Sequence, residues 1–266
     1  MMPKLKRQEI VDLLSSGRRI DGRGLEELRA LEIRCRTVKN AEGSAEVRLG
    51  KTLAIAGVKT SVGTPFADTP NMGVMIVNAE FLPIASPTFE PGPPDENAIE
   101  LARVIDRGLR RAGMIDLEQL CIVPGKAVWE VWIDIYALNH DGNLMDASAL
   151  AAVASILTAE MPKAMVNEKG EVMINKSEKQ KLPIKSIPIT VTIAKIGDKL
   201  VADPSLDEEE VADAFLTATF VKDNVCAIQK RGEKSLTAEE TLRALQIARQ
   251  RARELLKIVK EVVGSG

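Results

Sequence analysis

The sequence predicts an α/β (α+β) chain of two related β-α-β-α lobes, with sheets covered by helices. Strand-like apolar runs occur in both halves, each half ends in a helix, and a polar stretch at 167–181 separates the halves. With 266 residues, 45% of them hydrophobic, the chain is long enough for one large domain or two smaller ones. We therefore divide it into an N-terminal helix and extension (1–27), a first lobe (28–165), a linker or excursion (166–183) and a second lobe with a C-terminal helix (184–266).

The first half begins with a short amphipathic helix, which is predicted over residues 4–16 and ended by Gly17. Four extended segments are predicted next, at 28–38, 45–49, 52–62 and 73–85. The stretch 86–97 then carries four prolines and one glycine, which regular structure does not tolerate. We expect an ordered loop there that leads into a helix.

The helix after this loop is predicted over residues 95–112, with Asp95 as its N-cap and an apolar stripe along one side. A strand at 128–138 follows, and its alternating residues predict one apolar face and one polar or aromatic face. The next helix, 146–161, has small or apolar residues nearly all round. Such a helix is expected to lie between two layers of the fold.

Three further strands are predicted in the second half, at 187–193, 199–202 and 225–229. A long helix follows over 238–262, and Thr237 and Glu240 have the spacing of a capping box at its start. The acidic run at 200–214 is typical of a solvated turn that leads into a helical segment. Carboxylate clusters of this kind also hold Mg²⁺ or perform acid–base chemistry. The second interpretation of the run is therefore a site of this kind.

The composition excludes several classes of functional site. The 36 basic and 38 acidic residues give a net charge of −2, unlike a protein that binds nucleic acid through bulk positive charge. The single histidine, His140, excludes centres built on several imidazoles, and we expect it to be structural. Aromatic residues make up 3% of the chain, which is too few for an extended base-stacking platform.

The cysteines and the short apolar runs predict a soluble, cytoplasmic protein. Cys35, Cys121 and Cys226 are widely spaced, so they form neither a zinc ribbon nor a dithiol redox site. Reduced, mostly buried thiols are typical of the cytoplasm. The N-terminal apolar run is too short for a signal peptide, and no run of about 18 apolar residues exists. We therefore expect neither membrane association nor a metal site.

The predicted helix 95–112 carries a stripe of arginines opposite its apolar side. Arg103, Arg107 and Arg110 lie at i, i+4 and i+7 and so share one face, with Arg111 alongside. One interpretation is a solvated face, with weak i,i+3 and i,i+4 ion pairs to acidic neighbours. The other is a line of guanidiniums that binds phosphates, because arginine offers a planar, bidentate fork. The residue types leave both interpretations open.

Five segments, in order from about residue 18 to 250, together resemble the RNase PH family. They are RIDGRG (19–24), EGSAEVRLGKT (42–52), ASPTFEPGPPDENAIELARVIDRGLR (85–110), HDGNLMDASALAA (140–152) and LVADPSLDEEE (200–210). Within that family the chain is similar to the non-catalytic, RNase PH-like ring subunit of the archaeal exosome. The loop FEPGPPDEN before the arginine helix is the most subunit-specific part of the resemblance.

The resemblance implies two related lobes of RNase PH-like fold and a ring of six such subunits around a channel. In the archaeal complex three catalytic and three non-catalytic subunits alternate, and the ring degrades RNA from its 3′ end with inorganic phosphate. The basic helix of the non-catalytic subunit faces the RNA that enters the neighbouring site. Arg103 and Arg107 match those positions best, and Arg110 and Arg111 are further RNA-binding candidates.

The chain departs from the catalytic members at two places. Those members share D-G-G-T-R-T-A-S, whose threonine and arginine grip the attacking phosphate. The aligned residues here are Leu144 and Met145, which offer an anion no hydrogen bond. Catalytic members also carry two aspartates six residues apart; here Asp203 matches the first and Glu209 falls at the second. The resemblance therefore implies no catalytic residue, a degenerate phosphate site and two residual acidic positions.

The expected function is that of a non-catalytic exosome ring subunit that supports the neighbouring active site and binds the RNA backbone. Its expected partners are the catalytic ring subunit in an alternating trimer of heterodimers, RNA-binding cap subunits and single-stranded RNA. Phosphate and Mg²⁺ would belong to the partner's site, so this chain is expected to bind no cofactor. The alternatives are a self-sufficient RNase PH-type phosphorolytic exoribonuclease and a general RNA-binding module.

Overall fold

The computed structural model describes residues 4–167 and 171–264. The helices are α1 (Lys4–Ser15), α2 (Glu96–Ala112), α3 (Leu144–Leu157), α4 (Leu206–Val211) and α5 (Ala238–Gly264). The strands of the first half are β1 (Leu31–Cys35), β2 (Gly43–Leu49), β3 (Thr52–Gly63), β4 (Val74–Phe81), β5 (Cys121–Val123) and β6 (Ala127–Asn139). Those that follow are β7 (Glu160–Val166), β8 (Val172–Lys181), β9 (Pro188–Ile196), β10 (Lys199–Ala202), β11 (Ala214–Val221) and β12 (Asn224–Arg231). A short 3₁₀-helix, Leu117–Leu120, precedes β5.

The first sheet has the strand order β1-β2-β3-β6-β4, with β5 paired to β6 at one end. All its pairings are antiparallel except the parallel pair β4 and β6. The alternation predicted for β6 is confirmed: Trp129, Val131 and Ile133 are buried, whereas Trp132 is exposed and Glu130 is partly exposed. The buried side chains face helices, because α2 packs on β4 and α3 packs on β2, β3 and β6.

The second sheet has the order β10-β9-β11-β12 and is antiparallel throughout. A helix packs on each of its faces, as two consecutive residues of β11 show. Thr219 approaches Gly108 of α2, and Phe220 lines a cavity with Leu242 of α5. Because neighbouring residues of a strand point to opposite faces, α2 and α5 cover opposite sides of this sheet.

The helix α3 lies between the two sheets, as its composition predicts. Its side chains are buried nearly all round, and it contacts β9 as well as the first sheet. The predicted caps also form: Asp95 accepts a hydrogen bond from the backbone N–H of Ala98 at 2.8 Å. At the start of α5, Thr237 and Glu240 exchange the two hydrogen bonds of a capping box, at 2.8 and 3.1 Å.

Several predicted elements differ from the observed ones. The strand predicted at 28–38 covers only Leu31–Cys35, where it pairs with β2. The helix predicted over 146–161 occupies Leu144–Leu157, and the chain then turns into β7. The strand β11 was not predicted, because it follows a run of acidic residues without a turn signal of its own.

The polar stretch 167–181, predicted as a linker or excursion, is mostly the strand β8. It pairs with β7 to form a two-stranded antiparallel sheet. Its lysines and glutamates are poor strand formers, but cross-strand partners on β7 supply the backbone hydrogen bonds. Residues 168–170 of this stretch lie outside the described residues, as do 1–3 and 265–266. The boundaries of the two lobes stay a prediction.

Among the described helices, none has an apolar stretch long enough to cross a membrane. Cys35, Cys121 and Cys226 are each partly buried and are not disulfide-bonded.

Candidate functional site

The four candidate RNA-binding arginines are all exposed on α2. Arg103, Arg107, Arg110 and Arg111 line one surface groove together with Val77, Ala102 and Asp106. The opposite side of α2 carries the buried stripe that packs into the core. The helix therefore presents its guanidiniums to the exterior on a rigid element, and we call this surface the α2 groove.

The arginines of the α2 groove differ in their partners. Arg110 forms an ion pair with Asp106 at 2.7 Å and also donates to the backbone carbonyl of Met75. Arg107 donates to Gln229 Oε1 at 2.8 Å. Arg103 and Arg111 make no ion pair or side-chain hydrogen bond within the described residues, so both charges remain available to an anion.

The predicted surface pair of Glu100 with Arg103 is not present among the described residues. Glu100 instead accepts a hydrogen bond from Gln229 of β12, at 3.3 Å. The predicted pair of Asp106 with Arg110 is confirmed. The weak pair that the solvated-face interpretation gives to Arg103 is therefore absent among these residues, while the choice between a solvated face and a phosphate-binding face stays open.

The residues predicted to form a degenerate phosphate site, Leu144 and Met145, lie at the first turn of α3. Asn143 caps this helix with a left-handed backbone (φ 50°), and its side chain accepts from the N–H of Asp146. Leu144 is buried and Met145 is partly buried, and both line a cavity of about 220 Å³. Their apolar side chains occupy the positions where a phosphate would need donors.

A carboxylate of the chain itself occupies this helix N-terminus. Glu209 Oε1 accepts a hydrogen bond from the backbone N–H of Asn143 at 2.9 Å, and Arg231 lies 4.0 Å from the same oxygen. Burial raises the pKa of Glu209, although the Asn143 N–H and the charge of Arg231 oppose that effect. Because the N–H groups at a helix N-terminus are the usual partners of phosphate, Glu209 competes with a phosphate for this position.

The other residual acidic position, Asp203, is fully buried and saturated with hydrogen bonds. Arg29 donates to both of its carboxylate oxygens, at 2.7 and 2.9 Å, and Asn143 Nδ2 donates to Oδ1 at 2.9 Å. Burial raises the pKa of Asp203, but the hydrogen bonds and charge of Arg29 outweigh it and hold the pKa below its usual range. Its oxygens therefore do not fit a role as metal ligands or as a general acid.

The acidic run 200–214 leads into the helix α4, as predicted, but it is not solvated throughout. Asp203, Glu208 and Asp213 are all buried. Each is paired with an arginine from the first 29 residues of the chain: Arg29 with Asp203, Arg19 with Glu208, and Arg7 with Asp213. These arginines were missed as partners because they lie more than 170 residues away along the chain. No group of three or more metal-ligating side chains occurs within 4–167 and 171–264.

Asp146 connects the degenerate site to the second sheet. It is fully buried and accepts hydrogen bonds from the backbone N–H and the hydroxyl of Thr192, at 2.9 and 2.8 Å, and from Asn143 Nδ2. Burial raises the pKa of Asp146 to about 7 against these hydrogen bonds. The negative charge of the neighbouring Asp203 also opposes the ionisation of Asp146.

We expect this carboxyl to make folding pH-dependent. In the folded chain Asp146 keeps its proton up to about pH 7, whereas in the unfolded chain it loses it near its ordinary pKa of 3.8. Between these values the folded state binds more protons, so the contribution of Asp146 to stability falls as the pH rises. Denaturant unfolding of wild type and Asp146→Asn should show the wild type losing stability relative to the variant from pH 4 to 7. A constant difference across that range would contradict the buried, protonated state.

The comparisons with known proteins agree with this architecture. The 3′ exoribonuclease family matches over residues 27–162 for its domain 1 (RNase PH) and over 186–251 for its domain 2. The exosome complex component Rrp42 of Thermococcus gammatolerans is 50% identical over 266 residues, which cover 100% of this chain and 97% of that protein.

Solved structures give the same result. A chain of the Archaeoglobus fulgidus exosome with RNA bound to the active site has a TM-score of 0.86 and 46% identity, over 96% of this chain and 97% of that chain. A chain of an archaeal exosome core has a TM-score of 0.85 and 42% identity over 97% of both chains. The predicted fold class and family are thereby confirmed, and the chain belongs to the RNase PH, or 3′ exoribonuclease, family.

Proposed function

We propose that this chain is a non-catalytic ring subunit of an archaeal exosome, in which it alternates with a catalytic RNase PH-like subunit in a trimer of heterodimers. This proposal rests on the residues at the predicted phosphate site. Leu144 and Met145 stand where catalytic members have phosphate donors, and Glu209 accepts the hydrogen bond of the Asn143 N–H. The full-length similarity to exosome ring components supports the assembly.

The α2 groove is the part of the chain that would contact RNA. Its exposed guanidiniums, two of them without a partner in the described part of the chain, suit the phosphates of a single strand that passes toward the neighbouring active site. Contacts of this kind hold a strand without reading its bases, as a degradative complex that accepts any sequence requires.

The remaining partners follow from the same assignment. Phosphate and Mg²⁺ would act at the catalytic partner's site, and RNA-binding cap subunits would sit on the ring. A cytoplasmic location agrees with three cysteines that are not disulfide-bonded. A self-sufficient exoribonuclease is not favoured, since Asp203 is locked by Arg29 and the phosphate donors are replaced.

The test compares the purified chain with the co-expressed ring. We expect the chain alone to release no nucleoside diphosphates from RNA, with or without phosphate, because Leu144 and Met145 replace the side chains that would hold the attacking phosphate. Co-expression with the catalytic partner should give a particle with the mass of three heterodimers and phosphate-dependent release of nucleoside diphosphates. Phosphate-dependent release by the chain alone would show that the self-sufficient enzyme is the correct alternative.

A further inference from the structure

The cavity next to the degenerate phosphate site has no role in the function proposed above. It lies between the end of β4, the first turns of α2 and α3, and one face of the second sheet, with a volume of about 220 Å³. It shares no lining residue with the α2 groove, which contains the arginines. The two sites are distinct but adjacent, because Arg107 of the α2 groove donates a hydrogen bond to Gln229 of the cavity.

One wall of this cavity is a stack of three aromatic rings. The ring of Phe89 lies 4.9 Å from that of Phe81, with an angle of 25° between their planes. On its other side it lies 5.5 Å from the ring of His140, at 13°. Burial lowers the pKa of His140, so the stack is uncharged at neutral pH. Because Phe81 and His140 cover the two faces of Phe89, the faces left for a planar heterocycle are the outer faces of Phe81 and His140, which also line the cavity.

The polar groups of the cavity favour a ligand with N–H donors. Glu209 uses Oε1 for the N–H of Asn143, whereas its Oε2 accepts no hydrogen bond within the described residues. The side chain is 16% exposed, so this carboxylate is accessible from the cavity. A free carboxylate oxygen accepts hydrogen bonds and repels anions. Leu144 and Met145 supply apolar contact instead of phosphate donors.

The opposite rim carries one cation. Arg231 lies over the ring of Phe215, with its guanidinium carbon 4.4 Å from the ring centroid. Its Nη2 is 4.0 Å from Glu209 Oε1, so these two charges offset each other, and Glu100 adds a further carboxylate to the lining. An anionic ligand is therefore disfavoured at this site.

We propose that this cavity binds a guanine base, stacked on the aromatic wall with its N–H edge at Glu209. The edge of guanine presents N1–H and the 2-amino group side by side, which matches a carboxylate acceptor. The base can belong to free guanosine or to a nucleotide of an RNA strand. In both cases the aromatic wall and Glu209 would make the same contacts with the base. This site goes beyond the proposed function, in which α2 contacts only the RNA backbone.

The test is binding of guanosine to the full-length chain by saturation-transfer NMR and calorimetry. We expect guanosine to bind, and inosine, which lacks the 2-amino group, to bind roughly tenfold more weakly. Inorganic phosphate should not displace it. Tighter binding of a guanine-containing oligoribonucleotide than of its adenine-substituted counterpart, without binding of guanosine, would identify RNA as the source of the base, because the α2 groove would hold both strands alike.

Two variants test the assigned contacts. Glu209→Gln keeps the size of the side chain but replaces the carboxylate by an amide. Phe89→Leu removes the middle ring, which holds the aromatic stack together. Each should weaken guanosine binding about tenfold or more. Glu239→Gln, at an exposed position of α5 outside the cavity, makes the same change of side chain and should leave guanosine affinity unchanged. Any of three results would overturn the proposal. Neither guanosine nor the guanine of the oligoribonucleotide contributes to binding, phosphate displaces guanosine, or Glu209→Gln and Phe89→Leu both bind guanosine as tightly as the wild type does.

Discussion

Replacing both Arg103 and Arg107 by glutamate is expected to weaken RNA binding by the assembled ring at least about tenfold, since each arginine supplies a charge-assisted contact to a phosphate. The salt dependence should change as well. Each phosphate contact to a single strand contributes about 0.7 to the slope of log affinity against log salt, so the slope should fall by about 1.4. Filter binding or anisotropy over a range of salt concentrations, together with the rate of phosphorolysis, measures both effects.

The matched control reverses two positive charges on the opposite side of the second sheet. Arg249 and Lys260 are exposed on α5, so Arg249→Glu with Lys260→Glu gives the same change of net charge away from α2. We expect this variant to keep RNA affinity close to that of the wild type. Both rings should retain the wild-type mass. Unchanged affinity and slope in the Arg103 and Arg107 variant would show that the α2 groove is only a solvated surface.

Replacing Asp203 by asparagine is expected to destabilise the fold by about 3–5 kcal/mol, the usual effect of removing one partner of a buried ion pair. Asp203 is fully buried and the Arg29 side chain is 8% exposed, so the buried arginine would lose its closest counter-charge and keep only Asp141, at 3.9 Å. Asparagine has nearly the same shape and tolerates the left-handed backbone at this residue (φ 49°). Loss of charge, rather than backbone strain, would therefore cause the effect.

Chemical denaturation of the full-length chain measures this prediction. The control Asp198→Asn removes a surface carboxylate whose partner is Lys199, and its unfolding midpoint should not change. The pKa of Asp203 is depressed in the folded state, so its contribution to stability is present above pH 4 and is lost as the pH falls through the folded value. The difference in unfolding free energy between wild type and Asp203→Asn should therefore become smaller in acid. An equal midpoint for the two at pH 7 would refute the buried pair.

The local pattern of the sequence was enough to predict most of the first half. Alternation along β6 and the small, apolar composition of α3 depend only on which faces are buried, and both predictions are confirmed. The hairpin of β7 and β8 was not predicted as a sheet. Its polar residues favour a linker, and only pairing between the two strands makes them extended.

The candidate site was predictable in part. The spacing of Arg103, Arg107 and Arg110 places them on one helix face, because helix periodicity is a local property. Their RNA contacts stay a prediction. The helical segment within the acidic run was predicted, but its burial was not, since Asp203 and Glu208 pair with arginines near the start of the chain that no local pattern reveals.

The sequence by itself determined the fold class and the family, because these follow from periodicity and from residue identity at aligned positions. The same alignment predicts the loss of phosphate donors at Leu144 and Met145. Only the tertiary structure decided what the acidic residues do. It placed the Glu209 carboxylate at the start of α3, buried Asp203 against Arg29, and left a cavity beside the aromatic stack of Phe89. These features depend on contacts between residues far apart in the chain, where burial and neighbouring charges determine how each carboxylate behaves.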